Sequence, residues 1–382
     1  MAHLCIVASH RVNGVSKLHS DLMTQTIFAD FARLFPERFH NKTNGVTPRR
    51  WLAQANPDLA GLLDRRIGAD WRYDLDHLQK LRANAAEPAL QEEFAAAKLA
   101  NKRRLADYLR RTLDLSVDPA SLFDVQVKRI HEYKRQLLNV LHVITRYRQI
   151  LRDPGGDFQP RTVIFAGKAA TSYHMAKLII RLIHDVAAVV NSDPRMHDRL
   201  KVVFIPNYGV SIAELIMPAA DLSEQISTAG TEASGTGNMK MSINGALTIG
   251  TEDGANIEIR DQVGADNIFI FGHRTSEVMA LRQSGYRSQL FYQNDPQLKE
   301  VLDLIDSGTF SPGERARYHD VFNALVRYGD HYLLLADYAD YIATQQRVDA
   351  VFRNPAEWRH KAILNVAGMG PFSADRTIRD YA

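Results

Sequence analysis

Several protein classes are excluded by what this 382-residue sequence has little of. It holds a single cysteine, Cys5, so an intrachain disulfide framework is ruled out and a reducing cytoplasm is the expected compartment. Its 14 prolines and 22 glycines are too few for a collagenous or Pro/Gly-rich disordered chain. The 47 Lys and Arg residues barely exceed the 44 Asp and Glu, and an excess of +3 gives no general affinity for nucleic acid. No apolar run approaches the roughly 18 to 20 residues of a membrane span. The start, Met1-Ala-His-Leu-Cys5, lacks the charged, apolar and small-residue parts of an export signal, so a soluble, unexported protein is expected. Without export the Asn41-Lys42-Thr43 glycosylation pattern has no meaning. The 14 histidines show neither His-Glu-x-x-His nor paired-cysteine spacing, and no metal site is expected.

What is present is 45% hydrophobic residues in ordinary globular proportion, enough for a large core. Residues 1 to about 50 hold short polar clusters around one helical pattern, Leu22 to Phe35, and read as part of something larger. From Pro57 to about Leu115 the sequence is rich in Ala, Leu, Arg and Glu, and apolar residues return every three or four positions from Leu90 to Leu113, the period of a helix. The period then changes. Leu122 to Val127 alternates as a strand, and Leu137, Leu141, Ile144, Tyr147 and Leu151 stripe a helix that stops at Asp153-Pro154. Two more such units follow: Thr162 to Ala166 with a helix over 176–190, then Val202 to Ile205 with a helix from Ser211 to Met217 ended by Pro218. Further short strands are expected at 222–226, 246–250 and 267–271. The alternation predicts an α/β fold with a doubly wound, mostly parallel sheet covered by helices on both faces. Such sheets place ligands outside the carboxyl ends of their strands.

Two segments stand at those ends. Lys128-Arg-Ile-His-Glu-Tyr-Lys134-Arg135 gathers four cations where a strand gives way to a helix. It reads either as a solvated helix face or as an anion site, since helix-start N–H groups favour negative charge. His131 within it reads as a hydrogen-bonding residue rather than a general base. Thr231 to Lys240 is a Gly-rich turn leading into a short helix with a lysine inside. Gly235 and Gly237 allow close backbone approach to a phosphate, yet a Walker loop is excluded by the spacing and a dinucleotide fingerprint by Lys240 in place of the third glycine. A loop with an exposed lysine fits equally well.

Glu232-Ala-Ser-Gly-Thr-Gly-Asn-Met-Lys240, with Ala219 to Gly230 before it and Asn244 to Thr251 after it, resembles the cofactor segment of the glycogen, starch and maltodextrin phosphorylases. Val127 to Leu138 and Asn41 to Trp51 are similar to two further segments of that α-glucan phosphorylase family, in the same order. The resemblance implies the C-terminal half of a GT-B type glycosyltransferase. Residues 1–50 would then be a remnant of the N-terminal domain and inter-domain segment, 51–120 a helical connector, and 121–382 a Rossmann-like domain with C-terminal helices. It also implies reversible phosphorolysis of α-1,4-glucan by inorganic phosphate to glucose 1-phosphate, with pyridoxal 5′-phosphate covalently bound to Lys240.

In the pattern so implied, Lys134 and the Gly235-Thr236 turn hold the cofactor phosphate, and Lys128 and Arg129 hold the substrate phosphate. Two unit anions ~5 Å apart repel by roughly 3 kcal/mol at an effective dielectric of 20, which gives those cations their task. A proton shared between the anions relieves the repulsion and is available to the glycosidic oxygen. Asn44, Glu232, Ser234 and Gly235 would contact sugar hydroxyls, with Tyr133 nearby. Tyr208 and Trp51 would pack around the cofactor ring or serve as ordinary core aromatics. The other half of such an enzyme, and a family homodimer, are the implied partners, and the isolated chain is expected to be inactive. A non-catalytic remnant that binds cofactor or glucan and a nucleotide-sugar glycosyltransferase of the same fold are the alternatives.

Overall fold

The computed structural model describes residues 1–382. Near the N-terminus β1 (Val12–Gly14) and β2 (Phe39–Asn41) pair in parallel as a small ribbon. The main sheet is built from short aliphatic runs: β3 (Leu122–Val127), β4 (Arg161–Ala166), β5 (Leu200–Ile205), β6 (Leu222–Gln225), β7 (Leu247–Gly250) and β8 (Phe269–Ile270). Their order is β5-β4-β3-β6-β7-β8, every pair parallel. The chain winds outward from β3 to β5, then returns to the other side of β3 as β6. Loops leaving β3 and β6 therefore diverge, and the crevice between them lies at the reversal point, where α/β sheets hold ligands. Helices cover both faces, as the strand–helix alternation predicts. The helix Pro88–Leu113 and the turns before it share one apolar core with the sheet and the C-terminal helices.

The central strands are buried along their whole length, including the polar positions of the Leu122 to Val127 alternation. Asp124 is fully buried and ion-paired with Arg161 at 2.8 Å, and Arg161 also reaches Asp349 at 2.6 Å. The neighbouring Glu224 carboxyl accepts hydrogen bonds from Tyr341 and Gln345 at 3.0 and 2.7 Å. Burial, reinforced by Asp124, raises its pKa well above the ordinary value. The polar half of the alternation thus marks an internal hydrogen-bonded network rather than a wet face, consistent with the rule that buried polar groups find partners.

Three local expectations are corrected. The pattern Leu22 to Phe35 is two helices, Lys17–Gln25 and Ala29–Leu34, because the Thr26 hydroxyl donates to the Leu22 carbonyl at 2.6 Å and terminates the first. Pro218 lies inside the helix Val210–Ala219 rather than ending it. In the last turn it removes one N–H bond only, and the Lys98 ammonium takes the Pro218 and Ala220 carbonyls at 2.9 and 2.6 Å. The basic segment 128–135 is a loop with one tight turn, Glu132–Lys134. The helix begins at Gln136, since Arg135 takes the left-handed conformation, φ 55°.

That conformation sends Arg135 inward. Its guanidinium is fully buried, donating to the Ile226 carbonyl at 2.6 Å and the Ser227 carbonyl at 3.2 Å and pairing with Asp337 at 2.6 Å. Arg135 therefore ties the end of β6 to the C-terminal helix Leu334–Phe352. Removing one partner of such a pair strands a buried charge. Asp337→Ala is expected to lower unfolding stability by about 3–5 kcal/mol in a urea titration. A loss under about 1 kcal/mol, the range of exposed pairs, would show that Arg135 does not depend on this partner.

Candidate functional site

The loops after β3, β5 and β6 and the Gly-rich turn enclose a cavity of ≈ 390 Å³ at the reversal point. Its lining includes Asn44, Lys128, Lys134, Tyr208, Glu232, Ser234, Gly235, Thr236 and Lys240. Nine sequence-predicted residues, drawn from four separate stretches of chain, are thus brought to one space. Trp51 is not part of the lining but is buried directly beside it: the Lys240 ammonium stands 4.1 Å from its ring centroid. Tyr133 borders the cavity by donating its hydroxyl to Glu232 at 3.3 Å. Arg129 is not brought in. Its side chain is exposed, while its carbonyl is held by the Gln136 side chain at 2.9 Å.

The electrostatics of the cavity are dominated by three lysines. Lys128 donates to the Gln225 side chain at 2.7 Å; burial, assisted by the nearby Lys134, pushes its amine down to about 8 against the pull of Glu232. Lys134 is ion-paired with Glu232. Burial lowers its pKa, but the Glu232 charge and hydrogen bond outweigh burial and hold it above the ordinary value. Lys240 has no hydrogen-bond or ion-pair partner, and burial lowers its pKa. Burial also pushes the Tyr208 phenol up to about 12. One carboxylate, Glu232, thus faces three cationic side chains in a partly dehydrated space, an arrangement that favours entry of an anion.

The Gly-rich turn supplies further donors. Gly235 adopts φ 77°, a conformation suited to glycine. It turns the chain into the helix Gly237–Ser242, which carries Lys240. The amides of Gly235, Thr236 and Gly237 donate no hydrogen bond within the chain and lie at the cavity wall. Together with the free, half-buried Lys240 amine and the adjoining aromatic ring, they fit a phosphorylated aldehyde: donors for its phosphate and an unpaired amine for its carbonyl.

Two devices that position these groups escaped the sequence reading. Asp253 is buried and accepts from Ser227 Oγ at 2.7 Å and from the amides of Gly230, Glu232 and Gly254 at 2.9, 2.8 and 3.0 Å. It staples the turn that presents Glu232 and Ser234. The Asp-Gly pair in the loop two residues beyond β7 was the available signal, because Gly254 at φ 51° passes so close that a Cβ would lie 2.6 Å from the Ser234 carbonyl. The second device is a buried line of asparagines. Asn101 donates to Asn56 at 2.8 Å, Asn56 donates to Asn244 at 2.9 Å, and Asn244 donates to the Trp51 and Lys240 carbonyls at 2.7 and 2.9 Å. It fixes Trp51 against the lysine helix. No local pattern announces it, because its members lie 45 and 188 positions apart in sequence.

The chain is similar to known proteins along its whole length. A family model described as carbohydrate phosphorylase matches residues 1–382. The chain is 57% identical over 382 residues to a glycogen phosphorylase of Haemophilus influenzae, covering 100% of this chain and 46% of that protein. Over the same span it is 55% identical to a glycogen phosphorylase of Pasteurella multocida and 54% identical to the muscle form of Homo sapiens, covering 47% and 45% of those proteins. The chain therefore spans about half the length of the curated relatives it matches.

If Asp253 holds the turn, Asp253→Ala frees the Gly230 and Glu232 amides. Their hydrogen exchange should accelerate roughly ten- to a hundredfold, the loss of one charge-assisted hydrogen bond each, while amides of β3 and β4 keep their protection. Unchanged exchange at 230 and 232 would refute the stapling role.

Proposed function

The chain belongs to the carbohydrate phosphorylase family, and on that premise we propose that it carries the phosphate-handling part of an α-1,4-glucan phosphorylase. The reaction is reversible transfer of a glucosyl unit from glucan to inorganic phosphate, giving glucose 1-phosphate. The observation that supports this reading is the convergence of Lys128, Lys134 and Lys240 with the free amides of residues 235–237 on one cavity. Lys240 would hold pyridoxal 5′-phosphate covalently, because burial keeps more of its amine neutral and nucleophilic. When bound, that cofactor supplies a phosphate able to take up and return a proton beside the substrate phosphate.

Each residue then has a physical task. Lys134 and the Gly235 and Thr236 amides hold the cofactor phosphate, and Trp51 and Tyr208 wall its ring. Lys128 holds inorganic phosphate, while Arg129, implied by the family resemblance to share that task, stands exposed outside the cavity. Without these charges two adjacent dianions could not share the space, since even two unit charges ~5 Å apart repel by roughly 3 kcal/mol at a dielectric of 20. Asn44, Glu232, Ser234 and Gly235 offer hydrogen bonds to sugar hydroxyls, and Tyr133 steadies Glu232. The same phosphate oxygens favour positive charge developing on the departing glucosyl carbon.

In this reading residues 1–50 are a remnant of the N-terminal domain and inter-domain segment, 51–120 form a helical connector and 121–382 the cofactor-binding domain. The other half of a relative-length chain completes the cleft, and a homodimer is the expected assembly. A cytoplasmic setting fits the exposed thiol of Cys5; no helix is long and apolar enough to cross a membrane.

In a relative-length enzyme, Lys240→Ala should abolish the borohydride-reducible adduct with pyridoxal phosphate and its absorbance; an adduct surviving the substitution would reject Lys240 as the anchor. Lys128 makes a second, pH-dependent prediction. A bound anion raises its value from about 8, so above pH 8 phosphate binding takes up a proton and affinity falls as pH rises, by at most about tenfold per unit. Calorimetry in buffers of different ionisation enthalpy reads that uptake. Lys128→Met should eliminate it and weaken phosphate binding while keeping the cofactor adduct; equal loss of both would reject the division of labour between Lys128 and Lys134.

A further inference from the structure

At the opposite end of the sheet lies a second cavity, of ≈ 310 Å³. It opens at the amino ends of β3, β6 and β7, lined there by Ala120, Asp221 and Gly245, while Phe94, Leu99, Phe352 and Trp358 give it aromatic and aliphatic walls. Phe352 and Trp358 meet edge to face, ring centroids 4.9 Å apart and planes at 81°. The volume falls in the range of small-molecule sites, which combine apolar walls with a few placed polar groups.

The polar groups of this cavity restrict what can enter. Lys98 spends its three N–H groups on the carbonyls of Pro218, Ala220 and Asn244. Lys102 is committed to Asp221 at 2.5 Å and to the Ser121 carbonyl at 2.7 Å. Asp221 also accepts from the Phe123 amide at 2.9 Å. The remaining charged side chain of the lining, Arg359, makes no hydrogen bond or ion pair. A sugar would leave its hydroxyls unpaired against aromatic walls, and a phosphate dianion would meet one free cation where it needs more. A monoanion whose planar charged group matches a guanidinium fork, carried on a flat apolar body, satisfies both the walls and the charge.

We propose that this cavity is a binding site for small planar aromatic carboxylates, with the ring among Phe94, Phe352 and Trp358 and the carboxylate on Arg359. The site stands apart from the lysine cavity and does not rest on the cofactor assignment. The probe is 2-naphthoate, titrated calorimetrically into the 382-residue chain, with 2-naphthamide as its neutral counterpart. One saturable site is expected for naphthoate. Arg359→Met, a change at a half-exposed position, should weaken naphthoate roughly ten- to a hundredfold, the worth of a charged hydrogen-bonded pair, and leave naphthamide unaffected. Ala95→Trp, which fills the cavity from the helix Pro88–Leu113, should abolish binding of both. Absence of saturable naphthoate binding, or equal naphthoate affinity in the parent chain and Arg359→Met, would overturn the proposal.

Discussion

Positive charge confined where water is scarce is the constraint on which the rest of this molecule depends. Lys128, Lys134 and Lys240 share one cavity with a single carboxylate, Glu232. Like charges brought together in a low-dielectric space are costly, so the fold has to hold them there. It does so by rooting each one in a different rigid part: the loop after β3, the tight turn Glu132–Lys134, and the helix Gly237–Ser242. Burial lowers the values of Lys128 and Lys240, and the Glu232 charge sustains that of Lys134. Three chemically identical side chains therefore enter the cavity with different proton affinities, the condition for giving them different tasks.

The supporting structure is mostly polar and mostly buried. Arg135 belongs to the same basic run as Lys128 and Lys134, yet its left-handed backbone turns it away from the cavity and into a fully enclosed pair with Asp337. Gln126 and Gln136 fasten the intervening loop by donating to the Lys134 and Arg129 carbonyls at 3.1 and 2.9 Å. Asp253 fastens the facing turn by accepting from its amides. A loop that carries charge is thereby given the rigidity usually reserved for strands and helices, which is what a preorganised electrostatic site requires.

The sheet was legible in the sequence because its strands are short apolar runs separated by helices with a clear 3.6-residue period. The segment Thr231 to Lys240 was legible as a Gly-rich turn into a helix, and its resemblance to a known family carried the site assignments beyond what spacing alone supports. The misses have physical causes. Whether Arg135 faces solvent, phosphate or core depends on a single φ angle, and charge composition is blind to it. Pro218 suggested a helix end, but an ammonium from a distant helix satisfies the carbonyls that would otherwise fray. Asp124 and Gln126 give Leu122 to Val127 the alternation of a strand without announcing that Arg161 and Asn139 supply their partners inside the protein. Long-range polar pairing leaves no periodic trace, so the residues that steady the site were the hardest to find.

The asparagine line behind the lysine helix has a directional property. Arg104 donates to Asn101, Asn101 to Asn56, Asn56 to Asn244, and Asn244 to the carbonyls of Trp51 and Lys240, so all the amide dipoles are oriented head to tail from a guanidinium. Rotating any one amide by half a turn would set oxygen against oxygen on one side and N–H against N–H on the other. The orientation of the row is consequently a collective variable with one allowed sense. Substitutions within it are expected to be tolerated as coordinated sets rather than singly, so that the three positions drift through evolution together or not at all.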